Sequence, residues 1–181
     1  MRTLTFGALG FALAAGVTHS ASAQGTPAGV RAELLAQLDQ AATKLVQLAE
    51  AFPQDKYTWR PGTGVRSVSE VLMHVAGGNL YLPTFAGVRP TIQMEQSMET
   101  SLTDKAKVID MLKRTFDELR AAIRNLPDTD LDKGATMFGQ QTTYRNVYFT
   151  AVTHAHEHLG QLIAYGRVNG IVPPWSAGQG R

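Results

Sequence analysis

Four stretches of this chain repeat apolar residues at helical spacing, and a proline stands at or shortly after the end of each. Proline lacks the backbone donor that a helix interior needs, so each one closes the periodic run before it. In the first run Leu34, Leu38, Ala41, Leu45, Leu48 and Ala51 recur until Pro53. The second follows Ser67-Val68-Ser69-Glu70, a capping box whose hydroxyl and carboxylate satisfy free donors at a helix start. Its Val68, Val71, Leu72 and Val75 form one face, Gly77 and Gly78 weaken its second half, and it ends at or before Leu82 because Pro83 follows. The third, capped by Ser101 or Thr103, carries Val108, Leu112, Phe116, Leu119 and Ile123 up to Leu126-Pro127. The fourth starts at Thr142 or Thr143 and runs to about Asn169, with Gly170 as its stop and Pro173-Pro174 beyond. Strand-like alternation of useful length is not evident. The expectation is an all-α four-helix bundle.

The connections differ in character. Tyr57 to Gly64 reads as an irregular link whose aromatic residues cover one end of the core. The stretch 83–101, between the second and third helices, is a long connection carrying Phe85, Met94 and Met98. It reads as a crossover spanning the bundle, with a functional flap over one bundle end as the alternative. A further irregular stretch reaches Gln141.

Residues 1–23 read as an export signal and residues 24–181 as one domain. Arg2 precedes an apolar run from Leu4 to Val17, and Ala21-Ser22-Ala23 supplies the small-x-small pattern for cleavage after Ala23. An uncleaved anchor is the competing reading, but the run falls short of the roughly 20 residues that span a bilayer. The expected product is periplasmic or secreted, without a stable membrane anchor. The formal charge of +2 becomes +1 on cleavage, since Arg2 leaves and no acid does, and no basic run is present. Nucleic acid is therefore not an expected partner. With no cysteine, the chain has neither disulfide nor thiol nucleophile, so any metal is held through nitrogen or oxygen.

Histidine spacing supplies the functional signal. His154, His156 and His158 crowd the fourth helix. Residues four apart share a helix face, whereas His156 points about 200° away from His154. His154 and His158 lie on the same side as Val147, Ala151, Leu162 and Tyr165, and His74 sits on the apolar side of the second helix. Buried imidazoles need partners, and one shared cation would serve all three in their neutral form. The predicted site is thus His74, His154 and His158 around one divalent ion, with Zn, Ni and Fe all suited to imidazole. Glu157 and Gln161 adjoin this turn and are candidates to orient a ligand or water, although a solvated or interhelical role is the reading favoured for both. Gly160 stands where His156-Glu157 would need a second histidine for the zinc-protease motif, and neither a Gly-x-Ser-x-Gly elbow nor a phosphate loop occurs.

The capping box running into Val71-Leu72-Met73-His74, the segment His154-Ala155-His156-Glu157-His158-Leu159-Gly160-Gln161-Leu162, and the tail from Tyr165 to Ser176 resemble the DinB/YfiT-like family of metalloenzymes. The resemblance spans essentially all of the chain after the leader. It implies a four-helix bundle with one histidine ligand from the second helix and two, spaced by four, from the last. By motif these are His74, His154 and His158, and His156 matches no ligand. It also implies pairing into a homodimer and, from characterised relatives, metal-dependent transfer of low-molecular-weight thiols.

The functional expectation is an exported, metal-binding bundle acting as a metal-dependent transferase or hydrolase, with an open metal position activating water or thiol for a small-molecule substrate. The competing expectations are a non-catalytic bundle that binds metal or a small ligand, and a structural bundle whose histidines are hydrogen-bonded. Mass spectrometry of the protein expressed with its leader in a Gram-negative host is expected to find a periplasmic species starting at Gln24. A product retaining Met1 in the cytoplasm or membrane would remove the export reading.

Overall fold

The computed structural model describes residues 29–178, so the expected leader and its cleavage point at Ala23 lie outside the described residues. Four long helices dominate: α1 (Gly29–Ala51), α2 (Val68–Tyr81), α4 (Lys105–Asn125) and α5 (Tyr144–Val168). A single-turn helix α3 (Met98–Ser101), a hairpin of β1 (Gly134–Met137) and β2 (Gln140–Thr143) and four short 3-10 turns complete the regular elements among the described residues. Within these residues no helix is long and apolar enough to cross a membrane.

Packing follows the apolar stripes. Leu38, Leu45, Leu48, Val71, Leu72, Val75, Val108, Leu112, Leu119, Ile123, Val147 and Leu162 are all sealed from solvent in one shared core. Burying a side chain of this size contributes roughly 1.5–3 kcal/mol relative to exposure. One position slips: Ala49 is buried and the predicted Ala51 only partly so. α1 packs on α4 and α5, and α2 packs on the same two helices. The ring therefore runs α1, α4, α2, α5, with α1 and α2 on one diagonal.

Side chains fix the antiparallel pairing of α1 with α4 at both ends. At the start of α1, the Arg31 guanidinium grips the Asp128 carboxylate at 2.6 and 3.0 Å and donates to the Arg124 carbonyl at 3.1 Å. At its end, Lys105 Nζ donates to the carbonyls of Glu50 and Phe52 at 2.7 and 2.8 Å, meeting the unpaired acceptors of a helix C-terminus. The link from α1 to α2 crosses the bundle end as expected. Tyr57 is fully buried and donates its hydroxyl proton to the Ala49 carbonyl at 2.8 Å, while Trp59 stands edge-on to Tyr165 at 5.4 Å.

Two expectations are corrected and a third holds. The cap of α4 is Asp104, which accepts from the Lys107 amide, rather than Ser101 or Thr103; Thr143 caps α5 as expected. The stretch 83–101 does run the length of the bundle, because α2 and α4 are parallel. It returns past Thr91 beside Glu118 and Glu99 beside His74 and Arg66 to the start of α4 at Gln54, folding on the way into a 3-10 turn at Leu82–Ala86 and into α3, which packs on α2. Finally, the stretch before Gln141 is not irregular but contains β1, which pairs antiparallel with β2. Ala135 and Met137 alternate inward from β1 against α5 and the 3-10 turn, while β2 has no apolar residue to mark it. The turn is Phe138-Gly139, with φ of 52° and 79°, the paired positive values of a type I′ hairpin turn.

The capping box forms in full: Ser67 Oγ accepts from the Glu70 amide, and the Glu70 carboxylate accepts from the Ser67 amide at 2.8 Å. Burial pushes the Glu70 carboxyl up, but the Ser67 amide and the Arg60 guanidinium outweigh it and hold the group below its ordinary value of 4.5. This contribution to stability is thus present above pH 4.5 and lost as pH falls through the lower folded value. Ser67→Ala is expected to cost about 1 kcal/mol in urea unfolding at pH 7. A change within a few tenths would mean that the box does not hold the start of α2.

Candidate metal centre

The site lies between α2 and α5. His74, His154 and His158 each direct one ring nitrogen into a common space, and those three atoms lie within 4.8 Å of one another. The ring centroids are 4.6 to 5.0 Å apart, with each pair steeply inclined. His158 is buried, while His74 and His154 are half-buried and line a cavity of about 850 Å³. His156 turns away, its Nδ1 2.9 Å from the Val152 carbonyl of its own helix.

Hydrogen bonds decide which nitrogens face inward. The Arg66 carbonyl can only accept, so Tyr165 Oη donates to it at 3.0 Å. The Gln161 amide nitrogen donates to Tyr165 Oη at 2.8 Å, which leaves Gln161 Oε1 facing His158 Nδ1 at 2.8 Å. His158 therefore carries its proton on Nδ1 and presents a bare Nε2. Gln161, one of the two candidates to orient a ligand, is the residue that faces His158 Nδ1. Glu157 is exposed, consistent with the solvated role favoured for it, because position 157 is one residue before the face of His158 comes round.

The sequence offered no sign of the partner of His74. Glu99, on α3, places Oε2 3.3 Å from His74 Nδ1 and Oε1 2.7 Å from Arg66 Nε. Burial pushes the Glu99 carboxyl up, but Arg66 and His74 together hold it below the usual range. An ionised carboxylate only accepts, so His74 is protonated on Nδ1 and its Nε2 lone pair faces the cluster. Twenty-five residues of irregular spacing separate the two partners, which is why no periodicity could link them. Arg66 thus supports both histidines, through its carbonyl on one side and its guanidinium on the other.

His154 is held differently. Its Nδ1 is buried, with no hydrogen-bond partner among the described residues. Contact fixes the ring: a Cβ at Gly78 would lie 2.5 Å from His154 Cε1. The glycine that weakens α2 as a helix is thus the space the imidazole occupies. Burial, then the neighbouring His158, His74 and Arg66, push the His154 pKa down to about 4, so the ring is neutral at pH 7. Burial likewise lowers the pKa of His74, with the Glu99 hydrogen bond opposing.

These residues fit a divalent ion. His154 Nε2 and His74 Nε2 are 3.1 Å apart, close to the separation of two nitrogens on one ion at about 2.0–2.1 Å each. The donor set is all imidazole, and a carboxylate and an amide back two of the rings through Nδ1. The group could therefore hold a metal ion, with the cavity giving access from one side.

A four-helix bundle carrying a three-histidine group between its second and last long helices is the class of protein that fold and site define. The chain belongs to the DinB superfamily, whose family model matches residues 37–162. Among solved structures, a DinB-like protein from Bacillus cereus is similar in fold, with a TM-score of 0.70 at 15% identity, covering 78% of this chain and 93% of that one. A DinB-like protein from Bacillus subtilis matches with a TM-score of 0.61 at 22% identity, covering 77% of this chain and 93% of that one. At these identities the likeness shows the fold alone. No curated protein gives a significant match.

Gly78→Ala tests how the cluster is held. Alanine is the better helix former by roughly 0.5–1 kcal/mol, so the helix is expected to persist. The His154 ring must move aside, and Co²⁺ affinity is expected to fall at least tenfold. Unchanged uptake in a folded variant would show that Gly78 does not position the ring.

Proposed function

We propose that this chain is an exported metal-dependent enzyme in which one divalent ion, held by His74, His154 and His158, activates a bound water or thiol on a small-molecule substrate. The observation that carries the reading is the convergence of three imidazoles, two with inward Nε2 atoms set by Glu99 and Gln161. A divalent ion there would supply Lewis acidity, lowering the proton affinity of a bound water or thiol. Three protein nitrogens leave room for an exogenous ligand, and the cavity beside His74 and His154 supports its access. Zn²⁺, Ni²⁺ and Fe²⁺ all suit the donor set, and availability selects among them. Export favours water as the activated group, because small thiols are kept reduced mainly in the cytoplasm.

The protein's own contribution is positional. Glu99 and Gln161 orient two rings, and Gly78 admits the third. A non-catalytic binding role has one observation in its favour. Glu99 is the single carboxylate lining the cavity among the described residues, and Arg66 and His74 already engage it, so it is not a free base.

Elemental analysis of untagged mature protein is expected to find one divalent ion per chain, lost in His74→Ala and in His154→Ala. Metal-free wild type, with a melting temperature indifferent to chelator, would overturn the proposal. A Co²⁺ spectrum unmoved by azide, thiols and hydroxamates would reassign the site to binding alone.

A further inference from the structure

The cavity that reaches His74 and His154 is also lined by two side chains that metal ligation does not explain. Tyr81 and Phe138 both line it, yet they are 54% and 64% exposed, unusual for rings of this size. They belong to an ordered array. Phe85 stands between them with its centroid 5.1 Å from each, edge-on at 74° to Tyr81 and at 63° to Phe138. Tyr81 and Phe138 are themselves 6.4 Å apart and inclined at 45°. Three elements contribute: the end of α2, the 3-10 turn after it, and the tip of the hairpin.

Phe138 is costly where it stands. Its φ of 52° lies in the left-handed region, which bulky residues avoid and which Asn or Gly usually fills in a two-residue hairpin turn. The turn does not require an aromatic residue, and a largely exposed ring adds little to the core. The cavity wall does use it, and unfavourable backbone states of this kind gather at binding sites.

The lining also narrows the ligand. No lysine or arginine is among the residues that line the cavity, and Glu99, its one carboxylate, is neutralised by Arg66. Apart from an ion held by the histidines, an anion would find no cationic partner there. Thr84, Gln93 and Gln96 supply neutral hydrogen-bonding groups, and Ile92 and Met94 supply apolar ones. The volume of about 850 Å³ suits a small molecule.

We propose that Tyr81 and Phe138, braced by Phe85, form a platform for the flat aromatic ring of an uncharged substrate, whose donor atom then reaches the histidine cluster. The proposal rests on the metal-site reading above for the role of that donor atom, and the aromatic contact stands independently of it.

The test compares two metal-binding probes of similar size, benzohydroxamate and cyclohexanecarbohydroxamate, on Co²⁺-loaded protein. Offset and edge-on ring contacts exceed simple area burial, so the phenyl compound is expected to bind at least fivefold more tightly. In Phe138→Asn and Tyr81→Ala this preference is expected to fall toward unity, with Co²⁺ stoichiometry retained. Phe138→Asn also relieves the turn, so its melting temperature should not fall. In parallel, 2-naphthol, which needs no metal, is expected to shift NMR signals of the hairpin in metal-free wild type and not in Phe138→Asn. Equal affinity for the two hydroxamates together with no naphthol shift would overturn the platform, whether or not Co²⁺ binds. So would a preference unchanged in both variants, or a lowered melting temperature with lost Co²⁺ uptake in Phe138→Asn, which would make Phe138 a structural residue. Naphthol binding that depends on Phe138 in protein that takes up no Co²⁺ would leave the platform standing and remove the metal site instead.

Discussion

A protein that crowds three imidazoles into less than 5 Å has to settle which nitrogen of each ring carries a proton, and here one backbone carbonyl begins that decision. Because the Arg66 carbonyl can only accept, the hydroxyl of Tyr165, the amide of Gln161 and the Nδ1 of His158 follow in a fixed order of donation. The guanidinium of the same residue holds Glu99, which settles the tautomer of His74. Arg66 stands next to Ser67, the cap of α2. The residue that starts the helix and the residue that organises the site are adjacent, so an error in the first would be felt in the second.

The bundle supplies what such a network needs, which is precise spacing between two helices. α2 and α5 approach closely enough for His74 and His154 to meet at 3.1 Å because Gly78 removes a side chain where the His154 ring lies. Elsewhere α2 is held by its fully buried face and by Asn79, whose amide reaches Thr115 of α4 at 3.4 Å. The long segment after α2 then returns Glu99 to that helix instead of leading directly to α4.

Much of this was legible in the sequence, and what was missed has physical causes. Leu38, Leu72, Leu112 and Leu162 sit on stripes with a 3.6-residue period, and Ser67 and Thr143 cap their helices as their chemistry directs. The histidine trio followed from the same period. Glu99 could not be found, because it reaches His74 from the single-turn helix α3 and no local pattern connects the two. Glu157 adjoins the ligand turn in sequence but stands exposed on α5, in keeping with the solvated role favoured for it. The hairpin escaped notice because β2 is wholly polar and Phe138 replaces the usual turn residue. Gly78 was read as a weak point in a helix, whereas its use depends on a neighbour 76 positions away.

The diagonal placement of α1 and α2 governs the order in which the chain can fold. The two make almost no direct contact, and each buries its face against α4 and α5 instead. Until about residue 125 has emerged from the ribosome, the first two helices have nothing to close on, and the last wall arrives only with α5. The contacts that close the core therefore join helices distant in sequence, so the bundle is completed only when α5 packs against α1 and α2.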